Sequence, residues 1–376
     1  MQAKKITVLG SGLVGSVIAQ DLSKKFLVEV IDMNEHSLQT LANKKNLTTI
    51  KADVTDFNTL QKLVSGSDLV VSALPGFLGY NVLKNIINLG KNVADISFFP
   101  EDALSLNDLA KEKNVTAIVD CGVAPGMSNL LLGYHYSQMQ VEYFECMVGG
   151  LPMERKFPFE YKAPFSPIDV IEEYTRPARL MENGKIVTKP ALSELESIDF
   201  AGIGTLESFN TDGLRSILHT MRVPNMKEKT LRYPGHTKLI QALKTAGFFD
   251  EEKIDINNVK IKPIDVTAKL LKNIWKLNKN EEEFTIMRII IKGKEKNIDK
   301  TYEYNLLDKY DVTTGFSSMS RTTGFTCAAM AHLILENTFN AKGIFPPELI
   351  GSNTNSFNFV MNYLSERNVI YKKTEY

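Results

Sequence analysis

The segment Gly10-Ser11-Gly12-Leu13-Val14-Gly15 is the first part of the chain whose residue types and spacing point to ligand binding. It lies between an apolar run rich in β-branched residues, 6–9, and a stretch with helical spacing, and a second apolar run ends on Asp32. Glycines at this spacing between a strand and a helix, with an acid about 20 residues further on, are typical of a dinucleotide-binding turn. A glycine turn that serves only helix packing is the alternative.

Each part of this segment has a separate predicted role. Gly10 permits the tight turn, Gly12 lets the backbone approach a pyrophosphate, and Gly15 lets the helix pack closely against the sheet. The backbone N–H groups of Leu13 and Val14 belong to the start of the helix, where unpaired N–H groups attract phosphates. The sequence therefore predicts a nucleotide cofactor at this turn.

Asp32 favours one form of that cofactor. A carboxylate at this position accepts hydrogen bonds from the adenosine ribose hydroxyls and repels a 2′-phosphate. The next residues, Met33 and Asn34, provide no arginine to bind such a phosphate. The sequence therefore favours NAD over NADP.

Strand-like and helix-like runs alternate up to Gly122 and predict an α/β fold, a Rossmann-type doubly wound sheet of six parallel strands. Ligands of such sheets bind beyond the carboxyl ends of the strands. The residues that follow the third and fourth strands are therefore the predicted contacts of the two ends of the cofactor: Asp53, Val54, Ala73, Leu74 and Pro75. For Asp53, a helix-capping role is equally open.

Three further residues follow the fifth and sixth strands and are expected at the same edge of the sheet. They are Asp95, Asp120 and Cys121. A carboxylate at this edge lies where the substrate of a nucleotide-dependent reaction would meet its cofactor. For Asp95, capping of a neighbouring turn is the alternative.

After Gly122 the pattern changes and predicts a second, α+β domain with a mixed or antiparallel sheet. Residues 287–292 and 301–306 flank a charged turn and are predicted to form a hairpin. Arginine binds a carboxylate with two parallel hydrogen bonds. Arg215, with Arg321 as the second candidate, is therefore predicted to hold a substrate carboxylate, although a surface salt bridge is equally open for Arg215.

Composition argues against several other classes of protein. Lysine and arginine total 44, as do aspartate and glutamate, so the zero formal charge disfavours general nucleic-acid or polybasic membrane binding. No run approaches the apolar length of a membrane span, and no signal peptide is recognised. The three cysteines and five histidines lack metal-site spacing, so we expect no metal and a reducing, cytoplasmic location.

Five segments together resemble the saccharopine dehydrogenase family, and within it the lysine 6-dehydrogenases. They are residues 8–15, 120–127, 148–152, 229–236 and 343–348, and the resemblance extends over essentially the full length. The most specific are Gly-Val-Ala-Pro-Gly-Met at 122–127 and Arg-Tyr-Pro-Gly-His at 232–236.

The resemblance implies a domain organisation and an assembly. A Rossmann domain is expected over residues 1–125, an inserted α+β substrate and dimerisation domain over 126–324, and a C-terminal segment, 325–376, that returns to the first domain. The protein is expected to form a homodimer.

The resemblance also implies a reaction, the oxidation of a C–N bond of an amino acid with a nicotinamide cofactor. The predicted reaction is oxidative deamination of L-lysine at its ε-carbon to 2-aminoadipate 6-semialdehyde. Saccharopine dehydrogenase, or a related imine reductase, is the alternative enzyme. A non-catalytic NAD(H)-sensing protein is the alternative from another class.

This chemistry needs a base that takes a proton from the substrate amine. Asp95 and Asp120 are the predicted catalytic residues because of their position. The other residues predicted to line the substrate pocket are Tyr161, Thr211, His236 and Cys121.

Overall fold

The computed structural model describes residues 3–163, 167–278 and 281–376, with the side chains of 167–169 excepted. The chain divides into two compact units. The first comprises Met1–Gln140, His219–Met221 and Met319–Ile370. The second comprises Val141–Leu218, Arg222–Ser318 and Tyr371–Tyr376.

Strands and helices alternate through the first third of the chain, as predicted. The elements are β1 (Lys5–Leu9), α1 (Leu13–Leu22), β2 (Leu27–Asp32), α2 (Glu35–Gln39), β3 (Leu47–Lys51), α3 (Phe57–Val64), β4 (Leu69–Ser72), α4 (Gly76–Asn88), β5 (Val93–Asp95), α5 (Asn107–Glu112), β6 (Thr116–Ile118) and α6 (Met127–Tyr136). A short 3₁₀ turn, Ala103–Leu106, precedes α5.

The middle of the chain is richer in strands. Its elements are β7 (Gln140–Pro152), α7 (Pro167–Thr175), β8 (Ala178–Glu182), β9 (Lys185–Lys189), β10 (Glu196–Phe200), β11 (Gly204–Asn210), α8 (Ile217–Thr220), β12 (Asn225–Arg232), α9 (His236–Thr245), β13 (Ile254–Ile256), β14 (Val259–Ile261), α10 (Pro263–Trp275), β15 (Glu283–Glu295) and β16 (Ile298–Lys309). The remaining elements are α11 (Ser318–Leu335), β17 (Gly343–Phe345), α12 (Pro347–Gly351), α13 (Thr354–Ser365) and β18 (Tyr371–Glu375).

The first unit contains a parallel sheet in the order β17-β6-β5-β4-β1-β2-β3. Its inner strands are apolar and buried on both faces; all four residues of β4, for example, are buried, as expected for a sheet covered by helices. The apolar residues of α4 recur at Val82, Leu83, Ile86 and Ile87 and join the same core. The six predicted strands are present, and β17 adds a seventh beside β6.

The second unit contains a mixed sheet in the order β10-β11-β12-β7-β15-β16-β18, from which β8 and β9 branch at β12. The predicted hairpin is confirmed as β15–β16, an antiparallel pair from Phe284↔Lys309 to Glu295↔Ile298. A parallel doubly wound sheet followed by a mixed α+β sheet is the predicted fold class, which the structure confirms.

The end of the chain departs from the prediction that residues 325–376 return as one segment to the first domain. Strand β18 pairs with β16 of the mixed sheet, with Tyr371 opposite Leu306 and Glu375 opposite Tyr302. The side chains of β16 alternate between buried and more exposed positions, with Tyr302, Tyr304 and Leu306 buried. Only Tyr371 of β18 is buried, so main-chain pairing, which no hydrophobic pattern predicts, determines where this strand lies.

Polar contacts attach the C-terminal helices to α1 within the first unit. The buried carboxylate of Asp21 accepts hydrogen bonds from the Tyr363 hydroxyl at 2.6 Å and from Arg367 Nε at 2.8 Å. The guanidinium of Arg367 also lies 3.4 Å from the centre of the Tyr363 ring. Burial opposes ionisation of Asp21, but its hydrogen bonds to Arg367, Tyr363 and Lys24 hold its pKa below the usual value.

Helices α6 and α12 approach each other through glycine. A Cβ atom on Gly133 would lie 1.9 Å from the carbonyl oxygen of Glu348, and one on Gly351 would lie 2.1 Å from that of Leu130. The buried Glu348 carboxylate accepts hydrogen bonds from Asn129 Nδ2 at 3.1 Å and from Thr220 Oγ1 at 2.6 Å. Across the described ranges, no helix combines the length and hydrophobicity needed to cross a bilayer.

Candidate functional site

The glycine turn between β1 and α1 has the geometry that its sequence requires. Gly10 has a φ of +100°, and a Cβ atom there would lie 2.4 Å from the carbonyl oxygen of Ala73. A Cβ atom on Gly15 would lie 2.2 Å from the carbonyl oxygen of Gly10. Both positions therefore demand glycine, the first for its backbone conformation and the second for close packing.

Gly12 differs because a Cβ atom built on it would meet nothing within 4 Å. It precedes α1 as an N-cap residue without a side-chain hydrogen bond to the helix. The first-turn N–H groups of a helix have no partner within the helix and attract anions. Open space above an uncapped helix start fits the pyrophosphate of a dinucleotide, which Gly12, Leu13 and Val14 would hold.

Asp32 lies at the end of β2, beside the glycine turn. Its Oδ2 accepts hydrogen bonds from the backbone N of Ser11 at 2.6 Å and from the Ser11 hydroxyl at 2.9 Å. Its Oδ1 accepts one from the backbone N of Asn34 at 2.7 Å. Carboxylate oxygens have further acceptor capacity, so Asp32 fits the ribose of an adenine nucleotide.

The other predicted cofactor contacts lie in different environments. Asp53 is exposed and forms a local turn, in which Oδ1 accepts hydrogen bonds from the backbone N and hydroxyl of Thr55 at 2.9 and 2.7 Å. The cap of α3 is Asp56 instead. Val54 is buried in the hydrophobic core, where its side chain is not available to a ligand.

Ala73, Leu74 and Pro75 connect β4 to α4. Ala73 is half-buried, and its backbone N donates to the carbonyl oxygen of Leu9 at 2.8 Å, which places it next to the glycine turn. Leu74 packs partly against the core, and the exposed Pro75 is the N-cap residue of α4. Since α4 also has no side-chain cap, a second uncapped helix start lies at this edge of the sheet.

Asp95 is fully buried at the end of β5, opposite Ser72 of β4. Its Oδ1 accepts a hydrogen bond from the backbone N of Ser97 at 2.6 Å, and its Oδ2 has no hydrogen-bond partner among the described residues. Burial raises the pKa of Asp95 to about 7, and the charge of Asp120 acts in the same direction. A carboxyl group with this pKa can gain or lose a proton near neutral pH.

Asp120 and Cys121 follow β6 and lie close to Asp95. The backbone N of Cys121 donates to the carbonyl oxygen of Asp95 at 3.0 Å. Asp120 is buried and has a φ of +53°, a conformation that is uncommon for residues other than glycine. The Cys121 thiol is completely buried, and burial together with Cys327 raises its pKa. The Cys121 side chain is therefore a buried, neutral thiol.

The second unit contains a buried cluster around Arg232, Tyr174 and His236. His236 Nδ1 lies 2.9 Å from the carbonyl oxygen of Phe159, which can only accept, so Nδ1 carries the proton. His236 Nε2 then accepts from the Tyr174 hydroxyl at 2.9 Å, and that hydroxyl accepts from Arg232 Nε at 3.1 Å. Burial and the Arg232 charge lower the pKa of His236 to about 3, which keeps the imidazole neutral.

Tyr161 belongs to this cluster. Its ring lies against the guanidinium of Arg232, 4.3 Å from ring centre to Cζ, and its buried hydroxyl has no partner among the described residues. Arg232 also pairs with Glu173. His236 and Tyr161 are therefore brought together as predicted, but in a packed interior with almost no exposure.

The remaining predicted substrate residues do not join this cluster. Thr211 is buried and its hydroxyl accepts from Thr230 Oγ1 at 3.1 Å. Arg215 is half-buried, with a φ of +47°. Arg321 is in α11 of the first unit, where it donates to the carbonyl oxygen of Arg367 at 2.9 Å.

Sequence reasoning missed the partners of Arg232, and therefore its place in a buried network. Tyr174 and Glu173, which contact Arg232, and Trp275, whose ring lies against that of Tyr174, are far from Arg232 in the chain, and only the folded contacts identify them. The presence of Arg232 and His236 in one polar segment was the available signal. Within the ranges described, no group of three or more His, Cys, Asp or Glu residues could hold a metal ion.

Comparison with family models matches both parts of the chain. Residues 6–118 match the saccharopine dehydrogenase NADP binding domain, and residues 122–370 match the saccharopine dehydrogenase C-terminal domain. The first unit therefore contains a pyridine-nucleotide-binding domain, in agreement with its glycine turn.

Two kinds of curated relative are similar in sequence. The mitochondrial alpha-aminoadipic semialdehyde synthase of Rattus norvegicus is 27% identical over 66% of this chain, which spans only 29% of that protein. A saccharopine dehydrogenase [NADP(+), L-glutamate-forming] of Schizosaccharomyces pombe is 23% identical, with coverage of 91% of this chain and 93% of the relative.

A solved structure shares the fold over the whole length. Apo saccharopine dehydrogenase (L-Glu forming) from Saccharomyces cerevisiae has a TM-score of 0.81 at 19% identity, covering 99% of this chain and all of that one. From the family models, which together match most of its residues, the chain belongs to the saccharopine dehydrogenase family of oxidoreductases.

Proposed function

We propose that this protein is an NAD-dependent oxidoreductase that deaminates L-lysine at its ε-carbon and forms 2-aminoadipate 6-semialdehyde. The family supports an oxidoreductase acting on an amino acid. Saccharopine dehydrogenase is the alternative, and the relatives' names favour it.

The preference for NAD is proposed from Asp32. The matched family model and the fungal relatives carry NADP in their names. In this chain, however, the Asp32 carboxylate lies beside the glycine turn, and the nearby Lys51 is paired with Glu35 at 2.9 Å. The Asp32 carboxylate disfavours a 2′-phosphate through like-charge repulsion, and Glu35 adds a second negative charge near Lys51.

The chemistry divides between the cofactor and the protein. When bound, a nicotinamide dinucleotide accepts a hydride from the carbon that bears the substrate nitrogen. The amine must be neutral to react, so a protein group must take its proton. Asp95 is the proposed base because its Oδ2 is unpartnered among the described residues and its pKa of about 7 permits proton uptake. Asp120, which follows the adjacent strand β6, is the second candidate.

The observation that carries the choice of lysine is the pairing of cations in the second unit. Saccharopine has several carboxylates, so its pocket needs several cationic side chains. Four basic side chains of the second unit are paired with acids of the chain, as Arg155–Glu160, Lys156–Glu154, Arg176–Glu172 and Arg179–Asp212. Arg179 is held by two parallel bonds of 2.9 Å. The pairing of these four cations favours a substrate with fewer carboxylates than saccharopine.

The direct test measures NADH or NADPH absorbance at alkaline pH with lysine, saccharopine or neither, using NAD and NADP in parallel. We expect turnover with lysine and NAD. Turnover with saccharopine alone would support the alternative enzyme, and cofactor binding without turnover on any amino acid would support an NAD(H)-sensing protein.

A homodimer is also proposed, through the outer face of α10. Val266, Leu270 and Ile274 are exposed at intervals of four residues. Two antiparallel copies centred on Leu270 would bring each Val266 to an Ile274, so the apolar side chains of the two copies would cover one another. Light scattering of Leu270→Asp should give a monomer where the unaltered chain gives a dimer.

The three buried free thiols suit a reducing compartment, for which we propose the cytoplasm.

A further inference from the structure

A row of exposed apolar side chains runs along the carboxyl-end edge of the parallel sheet. The exposed fraction of the residue is 74% for Phe77, 51% for Leu13, 65% for Met33 and 40% for Phe57. Leu13 and Met33 lie in or directly after the loops that end β1 and β2, and Phe77 and Phe57 open the helices that follow β4 and β3. Large apolar side chains exposed together at one edge indicate a surface that binds a ligand.

The order of this row across the sheet follows the order of the parts of a dinucleotide. The four strands lie side by side as β4-β1-β2-β3, so the order of the residues is Phe77, Leu13, Met33, Phe57. The glycine turn and Asp32 define where the pyrophosphate and the adenosine ribose fit. Phe77 then lies toward the nicotinamide, and Met33 and Phe57 lie toward the adenine.

Local contacts hold the backbone at Phe77 and Phe57, although both side chains are exposed. At the start of α4, a Cβ atom on Gly76 would lie 2.2 Å from the carbonyl oxygen of Phe98, and one on Gly79 would lie 2.4 Å from Ser97 Cβ. At the start of α3, Asp56 accepts a hydrogen bond from the backbone N of Thr59 at 2.8 Å. Such preorganisation lowers the entropic cost of binding.

We propose that Phe77 packs against the nicotinamide half of the bound cofactor, while Met33 and Phe57 contact its adenine. Phe77 is thereby a cofactor-positioning residue, and the row explains why these apolar groups are exposed in the protein alone. The inference deepens the proposed function and rests on it, because it assumes that a nicotinamide dinucleotide binds at the glycine turn.

The test compares two ligands, NADH and ADP-ribose, which lacks the nicotinamide. Calorimetric titration is carried out on the full chain and on Phe77→Ala, Met33→Ala and Phe57→Ala. The matched control is Leu27→Ala, an apolar residue of the same unit that is 45% exposed at the opposite, amino end of β2. All five proteins should unfold at similar temperatures, because each altered side chain is exposed.

We expect Phe77→Ala to weaken NADH binding about tenfold while leaving ADP-ribose binding unchanged. Met33→Ala and Phe57→Ala should weaken both ligands, and Leu27→Ala neither. Equal losses of both ligands in Phe77→Ala, or no loss in it, would overturn this inference alone. If the unaltered chain bound neither NADH nor NADPH, the proposed function would fail as well.

Discussion

The carboxylate of Asp32 is joined to Ser11 by two hydrogen bonds, one from its backbone N at 2.6 Å and one from its hydroxyl at 2.9 Å. Ser11 is the second residue of the glycine turn, and Asp32 is the last residue of β2. The acid is therefore oriented by the turn itself before any ligand binds. A rigid, partly satisfied carboxylate is well suited to accept ribose hydroxyls.

Replacement of Asp32 should change the choice of cofactor. In Asp32→Ala, the repulsion of a 2′-phosphate and the ribose contact are both removed. We expect kcat/KM with NAD to fall about 10- to 100-fold, with a smaller fall or a rise with NADP. Steady-state kinetics with both cofactors measures the ratio. Ser11→Ala, which keeps the carboxylate, should retain the preference for NAD, and an unchanged ratio in Asp32→Ala would contradict the role of this acid.

Asp95→Asn should remove the proposed catalytic base and, with it, the dependence of kcat on the ionisation of this carboxyl group. Because the proposed role needs the ionised carboxylate, activity of the unaltered enzyme should fall as the pH drops below about 7. In Asp95→Asn, kcat should be about 100-fold or more lower above pH 7, and the difference should shrink at lower pH because the unaltered enzyme is then protonated as well. Profiles of kcat against pH test this, with Asp68→Asn, an exposed acid just before the amino end of β4, as the control.

Asp95→Asn, although it lowers activity, should raise the free energy of unfolding at alkaline pH. The folded state holds a proton on Asp95 up to pH about 7, whereas the unfolded chain releases it near its ordinary pKa of about 4. The free energy of unfolding therefore falls as the pH rises between these values. Asp95→Asn should remove that fall and be more stable at pH 8, by on the order of 2–4 kcal/mol. Equal stability of the two proteins in denaturant at pH 8 would argue against a raised pKa.

Loss of the Asp21 carboxylate should loosen the attachment of α13 to α1. Its side chain is only 1% exposed and its partner Arg367 is 17% exposed, so Asp21→Asn should cost about 2–4 kcal/mol at pH 7. Because the pKa of Asp21 is lowered by folding, its contribution is present above pH about 4 and is lost as the pH falls through the folded value. Denaturant unfolding should show a large difference in stability between Asp21→Asn and the unaltered protein at pH 7, and a smaller difference at pH 3. Lys24→Ala, which removes the most exposed partner, should cost under about 1 kcal/mol.

His236 should make the protein less stable in mild acid. Its pKa of about 3 in the folded state lies below the value of about 6.5 in the unfolded chain. Protons on this residue therefore bind preferentially to the unfolded chain, so His236 contributes a fall of about 1 kcal/mol per pH unit below 6.5 to the free energy of unfolding, opposite in sign to the contribution of Asp95. Relative to the unaltered chain, His236→Gln should gain stability steadily as the pH falls from 6.5 to 4, whereas Tyr174→Phe should keep the pH dependence and lose about 1–3 kcal/mol throughout. Parallel slopes in all three proteins would exclude a depressed pKa.

The parallel sheet could be predicted because its signal is local. Apolar strands, helical spacing and the glycine turn each lie within a few adjacent residues, and Gly15 and Asp32 acquire their geometry from neighbours along the same βαβ unit. Gly10 also requires its close approach to Ala73, which follows β4. The contacts that involve distant segments could not be predicted. Arg232 contacts Tyr174, which is 58 residues away in the sequence. The position of β18 is determined by its main-chain pairing with β16. The side chain of Val54 lies in the core, because a residue near the end of a strand can point either to the ligand edge or to the core and its sequence neighbours do not decide which. A cofactor contact through its backbone stays a prediction.

The glycine contact between α6 and α12 has a consequence for variation among related proteins. With carbonyl oxygens 1.9 and 2.1 Å from the places that methyl groups would occupy, neither Gly133 nor Gly351 can gain even one carbon unless the helices move apart. Separation would also pull the Glu348 side chain from Asn129 and Thr220. A library of single substitutions at these two positions, selected for folding, should thus recover only glycine. Alanine should be tolerated only in variants that also carry a compensating change in the opposite helix.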